Sequence, residues 1–174
     1  MARRPGSPAP AAASRRALLG GAAAALAALA GCGFTPVHAP GGSGAALANA
    51  VILETPRDSD GFTMRQQLQD RLGPPVTPRY RLTVTTETST KRVALTRNQD
   101  TRRYNVIGTA QYVLRDLDGQ VVTSGSYDSF NSYSATGTTV ATRAAETDAY
   151  RRLMVILADG ILDRLYLAVP GAAA

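Results

Sequence analysis

The chain has 174 residues, among them 19 basic and 13 acidic residues, one cysteine and one histidine. One cysteine excludes a disulfide framework, and with one histidine it cannot supply the ligand cluster of a zinc site. The sequence contains no glycine-rich phosphate loop and no Ser-His-Asp set, so we expect no metal, no cofactor and no catalytic residues. Four of the 19 basic residues precede residue 17, and the near balance of the remaining charges argues against nucleic-acid binding.

The N-terminal segment has the layout of an export signal. A basic head without acidic residues comes first and contains Arg3, Arg4, Arg15 and Arg16. An alanine-rich apolar run follows over residues 17–30. This run of about 14 residues is shorter than the roughly 20 that a membrane-spanning helix needs, which favours a cleaved signal peptide. The adjacent Arg15 and Arg16 fit the twin-arginine export route as well as the general secretory (Sec) route.

Cys32 stands where the apolar run ends. The sequence Leu29-Ala30-Gly31-Cys32 resembles the lipobox of bacterial lipoproteins, in which diacylglycerol alkylates the cysteine sulfur and the chain is cleaved before the cysteine. The resemblance implies a signal peptide over residues 1–31 and a lipid anchor on Cys32. It also implies the outer membrane, because Gly33 and not an aspartate follows the cysteine. The alternative is a plain secreted protein in which Cys32 is a stray thiol.

The remaining chain is expected to form one domain on a tether. Residues 32–49 are rich in glycine, proline and alanine, and they predict a flexible tether that contains His38. The domain is predicted over residues 50–170, followed by a short tail of residues 171–174.

The domain is predicted to begin with a short apolar strand at residues 51–53 and a helix. Ser59 or Asp60 can cap this helix, which ends before Gly73. Its apolar stripe is predicted to consist of Phe62, Leu68 and Leu72.

Three further strands are predicted to form an antiparallel meander. In residues 79–95, apolar and polar residues alternate and threonine is frequent, which is typical of a β-strand with one solvated face. A polar turn over residues 96–103 separates this strand from the next, residues 104–114. Asp118-Gly119 then marks a tight hairpin turn before the last strand, residues 121–133.

From Thr138 onward the apolar residues repeat with the period of a helix. The apolar stripe consists of Tyr150, Leu153, Met154, Leu157, Ile161 and Leu165. Val155, Ile156 and Leu162 widen it, which indicates either a second packing partner or a helix deep in a small core. The order β-α-β-β-β-α predicts an α+β fold: a two-layer sandwich with two helices packed on one face of a roughly four-stranded, mainly antiparallel sheet.

Three segments carry a further resemblance: residues 29–34 around the lipobox, the strand-turn-strand sequence LTRNQDTRRYNVIGTAQYVL, and the terminal helix sequence ETDAYRRLMVILADGILDRL. Together they resemble the LptE family of lipopolysaccharide-assembly (LPS-assembly) lipoproteins of Gram-negative outer membranes. The most specific feature is the Arg97-Asn98 turn followed by Tyr104. The resemblance implies a protein that is not an enzyme: it plugs a large outer-membrane β-barrel of the LptD type, helps that barrel fold, and binds lipopolysaccharide on its way to the outer leaflet.

Basic residues gather around the predicted turn between the two long strands. They are Lys91, Arg92, Arg97, Arg102 and Arg103, with Asp100 as the only acidic residue among them. A guanidinium group can bind a phosphate through two hydrogen bonds, and in the family that the chain resembles a basic strand-turn region is associated with lipopolysaccharide binding. We therefore expect Arg97, with Arg102 or Arg103, to contact the lipid A phosphates. Lys91 and Arg92 are expected to add a weaker attraction that salt screens.

Other interpretations remain open. The basic residues are also compatible with a simple solvated turn. The chain could be a periplasm-facing lipoprotein of envelope maintenance that has a similar fold but no barrel partner, since a polar sheet face is ordinary for any antiparallel sheet in water. An enzyme using Asp116 and Asp118 as paired carboxylates is a further alternative, although aspartates beside a hairpin turn are expected for local hydrogen bonding alone.

Overall fold

The helices and strands follow the predicted order along the chain. The computed structural model describes residues 36–95 and 101–171. In these ranges the chain forms helix α1 (Ser43–Leu47), strand β1 (Val51–Glu54), helix α2 (Ser59–Leu72), strands β2 (Tyr80–Leu95), β3 (Thr101–Asp116) and β4 (Val121–Ser134), and helix α3 (Thr139–Ala168). The order from β1 to α3 is the predicted one, and α1 is an addition. The predicted signal peptide and Cys32 lie outside the described residues.

One four-stranded sheet forms the centre of the fold. Its strand order is β1-β2-β3-β4, with β1 parallel to β2 and the other neighbours antiparallel. Helices α2 and α3 pack on one face of this sheet, which confirms the predicted α+β sandwich. β1 pairs with residues 80–83 at the start of β2, and β2 and β3 continue as a long hairpin well beyond it.

The hydrophobic core lies between the sheet and the two helices. Side chains alternate between the faces of a strand, and four on the helix side of β2 and β3 are at most 2% exposed: Leu82, Val84, Val106 and Ala110. Helix α3 contributes the largest share of the remaining core. Its fully buried residues include Leu153, Met154, Leu157, Ile161 and Leu165, all members of the predicted stripe.

Helix α3 is apolar over a wide surface because it has two packing partners. The sheet covers one side, and α2 packs against another, where Gln67 Nε2 donates a hydrogen bond to Asp159 Oδ1 at 2.9 Å. Of the residues that widen the stripe, Leu162 is buried whereas Ile156 remains exposed. The second packing partner therefore explains part of the width.

Helix α2 differs from the prediction at its start. Its N-cap is Asp58, whose carboxylate accepts a hydrogen bond from Gly61 N at 2.7 Å, and not Ser59 or Asp60. Phe62 is 67% exposed, whereas Met64 is buried together with the predicted Leu68. Residues spaced by four lie on one side of a helix, and Phe62 is two residues out of step with Met64, so it points away from the core.

The predicted tether is wrong for its C-terminal part. Residues from Pro36 onward belong to the same compact unit as the sheet, and Leu47 on α1 is fully buried. Two glycines that indicated flexibility serve close packing instead. A Cβ atom at Gly42 would overlap the carbonyl oxygen of Val37, and one at Gly44 would lie 2.7 Å from His38 Nδ1.

Candidate functional site

The long hairpin of β2 and β3 has the predicted basic residues at its far end. Each strand has 16 residues, so the hairpin is about 50 Å long at 3.3–3.4 Å per residue. β4 runs beside β3 as far as the pair of Arg103 and Ser134. Helix α3 begins shortly after, at Thr139, and therefore starts at the same end of the molecule.

The pairing of the hairpin becomes irregular near this end. Arg92 is opposite Tyr104 and Ala94 is opposite Arg103, so Val93 has no partner on β3. A second shift follows between Ala94 and Leu95. An extra residue of this kind bends the strand and increases its twist, so the last residues of the hairpin do not continue the regular part of the sheet.

Two of the predicted site residues share the open face, by which we mean the sheet face opposite α2 and α3. Tyr104 stacks on the buried Tyr133 and so marks the helix side at the start of β3. Because side chains alternate, Arg103 points to the open face. Lys91, which is opposite Asn105, does the same, and both basic residues are exposed.

The other predicted site residues are placed differently. Arg92 is exposed but lies opposite Tyr104, on the helix side of the hairpin. Arg102 belongs to β3, but its side chain is outside what the structure describes, and Arg97 lies in residues 96–100, also outside the described residues. The structure thus divides the cluster between two faces, and its contact with lipopolysaccharide stays a prediction.

A tyrosine cluster forms the helix side of the hairpin end. Tyr104 and Tyr133 are stacked with ring centroids 5.2 Å apart, and Tyr150 OH lies 3.0 Å from Thr90 Oγ1. Burial raises the pKa of Tyr133 to about 12, and the nearby Glu146 carboxylate adds to the increase. Tyr133 is therefore a neutral phenol at physiological pH, as its place in the core requires.

The open face is arranged in rows across β2, β3 and β4. Beyond the pair of Arg103 and Ser134 at the hairpin end, the first row consists of Lys91, Asn105 and Ser132, the next of Ser89, Ile107 and Phe130, and the third of Glu87, Thr109 and Asp128. Phe130 is 64% exposed. Thr109 Oγ1 donates a hydrogen bond to Asp128 Oδ1 at 2.6 Å. Neighbouring rows are about 7 Å apart, so the face changes from basic to apolar to acidic within about 14 Å.

The apolar row of Ile107 and Phe130 was not predicted from the sequence. In the segment YDSFNSY, residues 127–133, Tyr127 and Tyr133 share one face of the strand and Phe130 lies on the other. This alternation was a signal that could have placed Phe130 on the open face. Its pairing with Ile107 requires the register between β3 and β4, which the sequence does not supply.

The two aspartates considered as paired carboxylates stand at the β3–β4 turn. Asp116 Oδ1 accepts a hydrogen bond from Gln120 N at 2.8 Å, and the Asp116 carbonyl accepts one from Gly119 N at 3.2 Å. Gly119 has a φ of 87°, a conformation that suits glycine in a tight turn. Asp116 therefore stabilises the turn, which is the structural role that the sequence predicted for aspartates there.

The described residues hold neither a candidate metal site nor a candidate membrane-spanning helix. No group of three or more histidine, cysteine, aspartate or glutamate side chains in residues 36–95 and 101–171 is arranged to hold a metal ion. Within the same part of the chain, no helix is both long enough and apolar enough to cross a membrane. His38 packs edge-on against Tyr166, with 5.6 Å between the ring centroids.

Residues 48–165 match the model of the LptE family, described as lipopolysaccharide-assembly. No curated protein matches the sequence. Among solved structures, a Caulobacter crescentus protein has a TM-score of 0.58 and 19% identity, covering 72% of this chain and 93% of that chain. A minor lipoprotein from Acinetobacter baumannii has a TM-score of 0.53 and 18% identity, and the match covers 72% of this chain and 97% of that chain. Rare lipoprotein B from Shewanella oneidensis has a TM-score of 0.52 and 11% identity, and the match covers 67% of this chain and 92% of that chain. At these identities the likeness to the solved structures establishes the fold.

Proposed function

This chain belongs to the LptE family of lipopolysaccharide-assembly proteins, and from this membership we propose that it assists the folding of an LptD-type outer-membrane barrel, plugs the lumen of that barrel, and binds lipopolysaccharide during delivery to the outer leaflet. The matched residues, 48–165, include the whole sheet, α2 and most of α3. A role in lipopolysaccharide assembly follows from the family itself. The barrel partner, the plug and the lipid ligand are our proposal.

The polar open face of the sheet is the observation that carries the proposed plug. Helices α2 and α3 cover the other face, and most of the open-face residues on β2, β3 and β4 are polar or charged. The lumen of a large outer-membrane barrel is polar, so such a face can lie against it while burying few apolar side chains against polar ones. The hairpin length of about 50 Å also compares well with the 40–45 Å thickness of a bilayer with its headgroups.

The basic hairpin end supports the proposed lipid ligand. Lys91 and Arg103 are exposed on one face, and arginine can bind a phosphate through two hydrogen bonds. In the proposal, Arg97, with Arg102 or Arg103, contacts the lipid A phosphates. Lys91 and Arg92 add a longer-range attraction, which salt weakens, and Arg92 adds it from the helix side.

The proposed location is the outer membrane, with a lipid anchor on Cys32. Support comes from the lipobox sequence Leu29-Ala30-Gly31-Cys32, from the family match, and from the lipoproteins that share the fold. No catalytic step is part of the proposed function, because an assembly aid and plug acts through binding.

Depletion of the protein in its host tests the proposed function. We expect the amount of correctly folded barrel to fall and the outer membrane to admit hydrophobic toxicants that it normally excludes. Re-expression of the wild-type chain should restore both properties. Normal levels of folded barrel and unchanged permeability after depletion would contradict the proposal, and would favour a periplasm-facing lipoprotein without a barrel partner.

A further inference from the structure

We propose that the open face at the hairpin end holds one anionic lipid in two adjacent subsites. The basic subsite consists of Lys91 and Arg103, and the acyl-chain subsite consists of Phe130 and Ile107. Because the inference rests on the proposed function, the lipid class is lipopolysaccharide. An acyl chain then lies on the sheet itself, and the lipid has one direction along the strands.

The acyl-chain subsite is an apolar pair on a mostly polar face, on which Val113 lies about 20 Å farther along the strands. Phe130 and Ile107 are directly opposite each other on β4 and β3, so their side chains are neighbours on the open face. Phe130 is 64% exposed and takes no part in the core. A single exposed apolar residue is ordinary on a protein surface, but a paired aromatic and aliphatic residue beside a basic row is a more specific arrangement.

The order of the rows sets the direction of the lipid. Lys91 lies one row from Phe130 toward the hairpin end, about 7 Å along the strands and two strands, or about 10 Å, across the sheet, and Arg103 lies beyond it. Glu87 and Asp128 lie one row from Phe130 on the other side, where Asp128 is held by Thr109. A phosphate is therefore attracted at the hairpin end and repelled by the carboxylates, while an acyl chain can run back over the apolar row.

The charge pattern favours a lipid over a protein surface as the occupant. A polar barrel wall offers no apolar surface to cover Phe130 and Ile107. An amphiphile with phosphates at one end and acyl chains beside them matches a basic row that adjoins an apolar row. The acidic row, one step farther, prevents the same lipid from binding in the opposite direction.

The test compares two variants and two forms of one ligand. Phe130→Ser replaces the aromatic ring by the residue type that dominates this face, and Phe62→Ser is the matched control, because Phe62 is equally exposed but lies on α2. The probes are purified lipopolysaccharide and the same lipopolysaccharide after chemical deacylation, which keeps its phosphates. Binding is measured with the purified full chain in a nonionic detergent at low salt.

We expect Phe130→Ser to weaken the binding of intact lipopolysaccharide about tenfold, because the contact of one large apolar side chain is lost. Binding of the deacylated form should not change, and Phe62→Ser should change neither. Replacing both Lys91 and Arg103 by alanine should weaken the binding of both forms, and less so as salt is added. Ile107→Thr serves as a second variant of the apolar row and should reproduce the effect of Phe130→Ser.

The possible outcomes separate this inference from the proposed function. If the wild type binds neither form, the proposed lipopolysaccharide binding fails, and the subsites fail with it. If the wild type binds but Phe130→Ser and Ile107→Thr bind intact lipopolysaccharide equally well, the acyl-chain subsite is wrong while the proposed function stands. If Phe130→Ser weakens the association with the barrel but not with the lipid, the apolar row is a protein contact and the inference is overturned.

Discussion

Gly160 allows helix α3 to lie close against Tyr127 of β4. A Cβ atom at position 160 would overlap the Tyr127 ring, and the Arg164 guanidinium lies over the same ring at 4.7 Å from its centroid. Alanine favours a helix over glycine by about 1 kcal/mol, but overpacking costs about 1–3 kcal/mol. We therefore expect Gly160→Ala to lower the free energy of unfolding by about 1 kcal/mol, measured by urea denaturation.

Gly160→Ala should have the opposite effect on the free energy of unfolding when the Tyr127 ring is removed. In a Tyr127→Ser background, Gly160→Ala should raise the free energy of unfolding by up to about 1 kcal/mol, because only the helix preference remains. A stabilising effect of Gly160→Ala in the wild type as well would show that the ring does not occupy the space that the structure assigns to it.

Tyr133 should make the stability depend on pH in the alkaline range. Burial raises its pKa to about 12 from an ordinary value of 10.0, so the unfolded chain loses this proton first. The contribution of the neutral phenol is fully present below pH 10 and is lost as the pH rises toward 12. Tyr133→Phe keeps a ring stacked on Tyr104 but cannot ionise. We expect this variant to lose less stability than the wild type between about pH 10 and pH 12 in urea denaturation. An equal loss in both proteins would contradict the assignment.

The start of α2 depends on its cap. Asp58 accepts a hydrogen bond from Gly61 N at 2.7 Å, and its charge also lies at the favourable end of the helix dipole. Asp58→Ala should lower the free energy of unfolding by about 1 kcal/mol, whereas Asp58→Asn should lower it less, because asparagine caps as well. Thr138→Ala at the start of α3 is the comparison, with a longer cap contact of 3.3 Å and a smaller expected loss. Equal melting temperatures for wild type, Asp58→Ala and Asp58→Asn would show that the cap does not matter.

The sequence predicted the elements in which apolar residues keep a regular spacing along the whole length. Alternation in β2 and the stripe that contains Leu153 and Leu157 located the strand and α3, because both elements bury one side only. β3 begins at Thr101, earlier than predicted, because backbone pairing with β2 continues through polar residues. Helix α1 was missed because glycine and alanine around Leu47 indicate flexibility by composition, whereas tertiary contacts order them.

The sequence predicts where the basic residues of the candidate site lie along the chain, but not on which face of the sheet each side chain lies. The sequence located basic residues at the end of the β2–β3 hairpin, where the structure finds Lys91, Arg92 and Arg103. Their division between two faces depends on strand pairing and on the unpaired Val93, and a shift of one residue moves a side chain to the opposite face. Composition carries no signal for such a shift. The neighbourhood of Phe130 and Ile107 depends on register in the same way.

The whole molecule is expected to be held at the membrane by its only thiol. We predict that the chain extracted from membranes begins at Cys32 and carries acyl chains, because the cysteine sulfur is the nucleophile in lipoprotein processing and more than one chain gives stable anchoring. Intact mass spectrometry measures this directly. Retention of residues 1–31 would contradict the prediction, and so would a Cys32→Ser variant that still partitions fully into membranes.

The fold predicts how stable the proposed complex with the barrel should be. A sheet with one face covered by α2 and α3 and one polar open face is suited to insertion into a polar lumen, and permanent complexes of this kind bury large areas, on the order of 2,000 Å² or more. The association should therefore survive purification and moderate salt, since the open face is mostly uncharged.

Purification of the tagged chain from host membranes in a mild detergent measures this association most directly. We predict that a large outer-membrane barrel elutes with the chain as a stoichiometric partner, identified by its mass, and that the pair stays together through size-exclusion chromatography. A chain that elutes alone from membranes in which the folded barrel is present would contradict the proposed role as an assembly aid and plug.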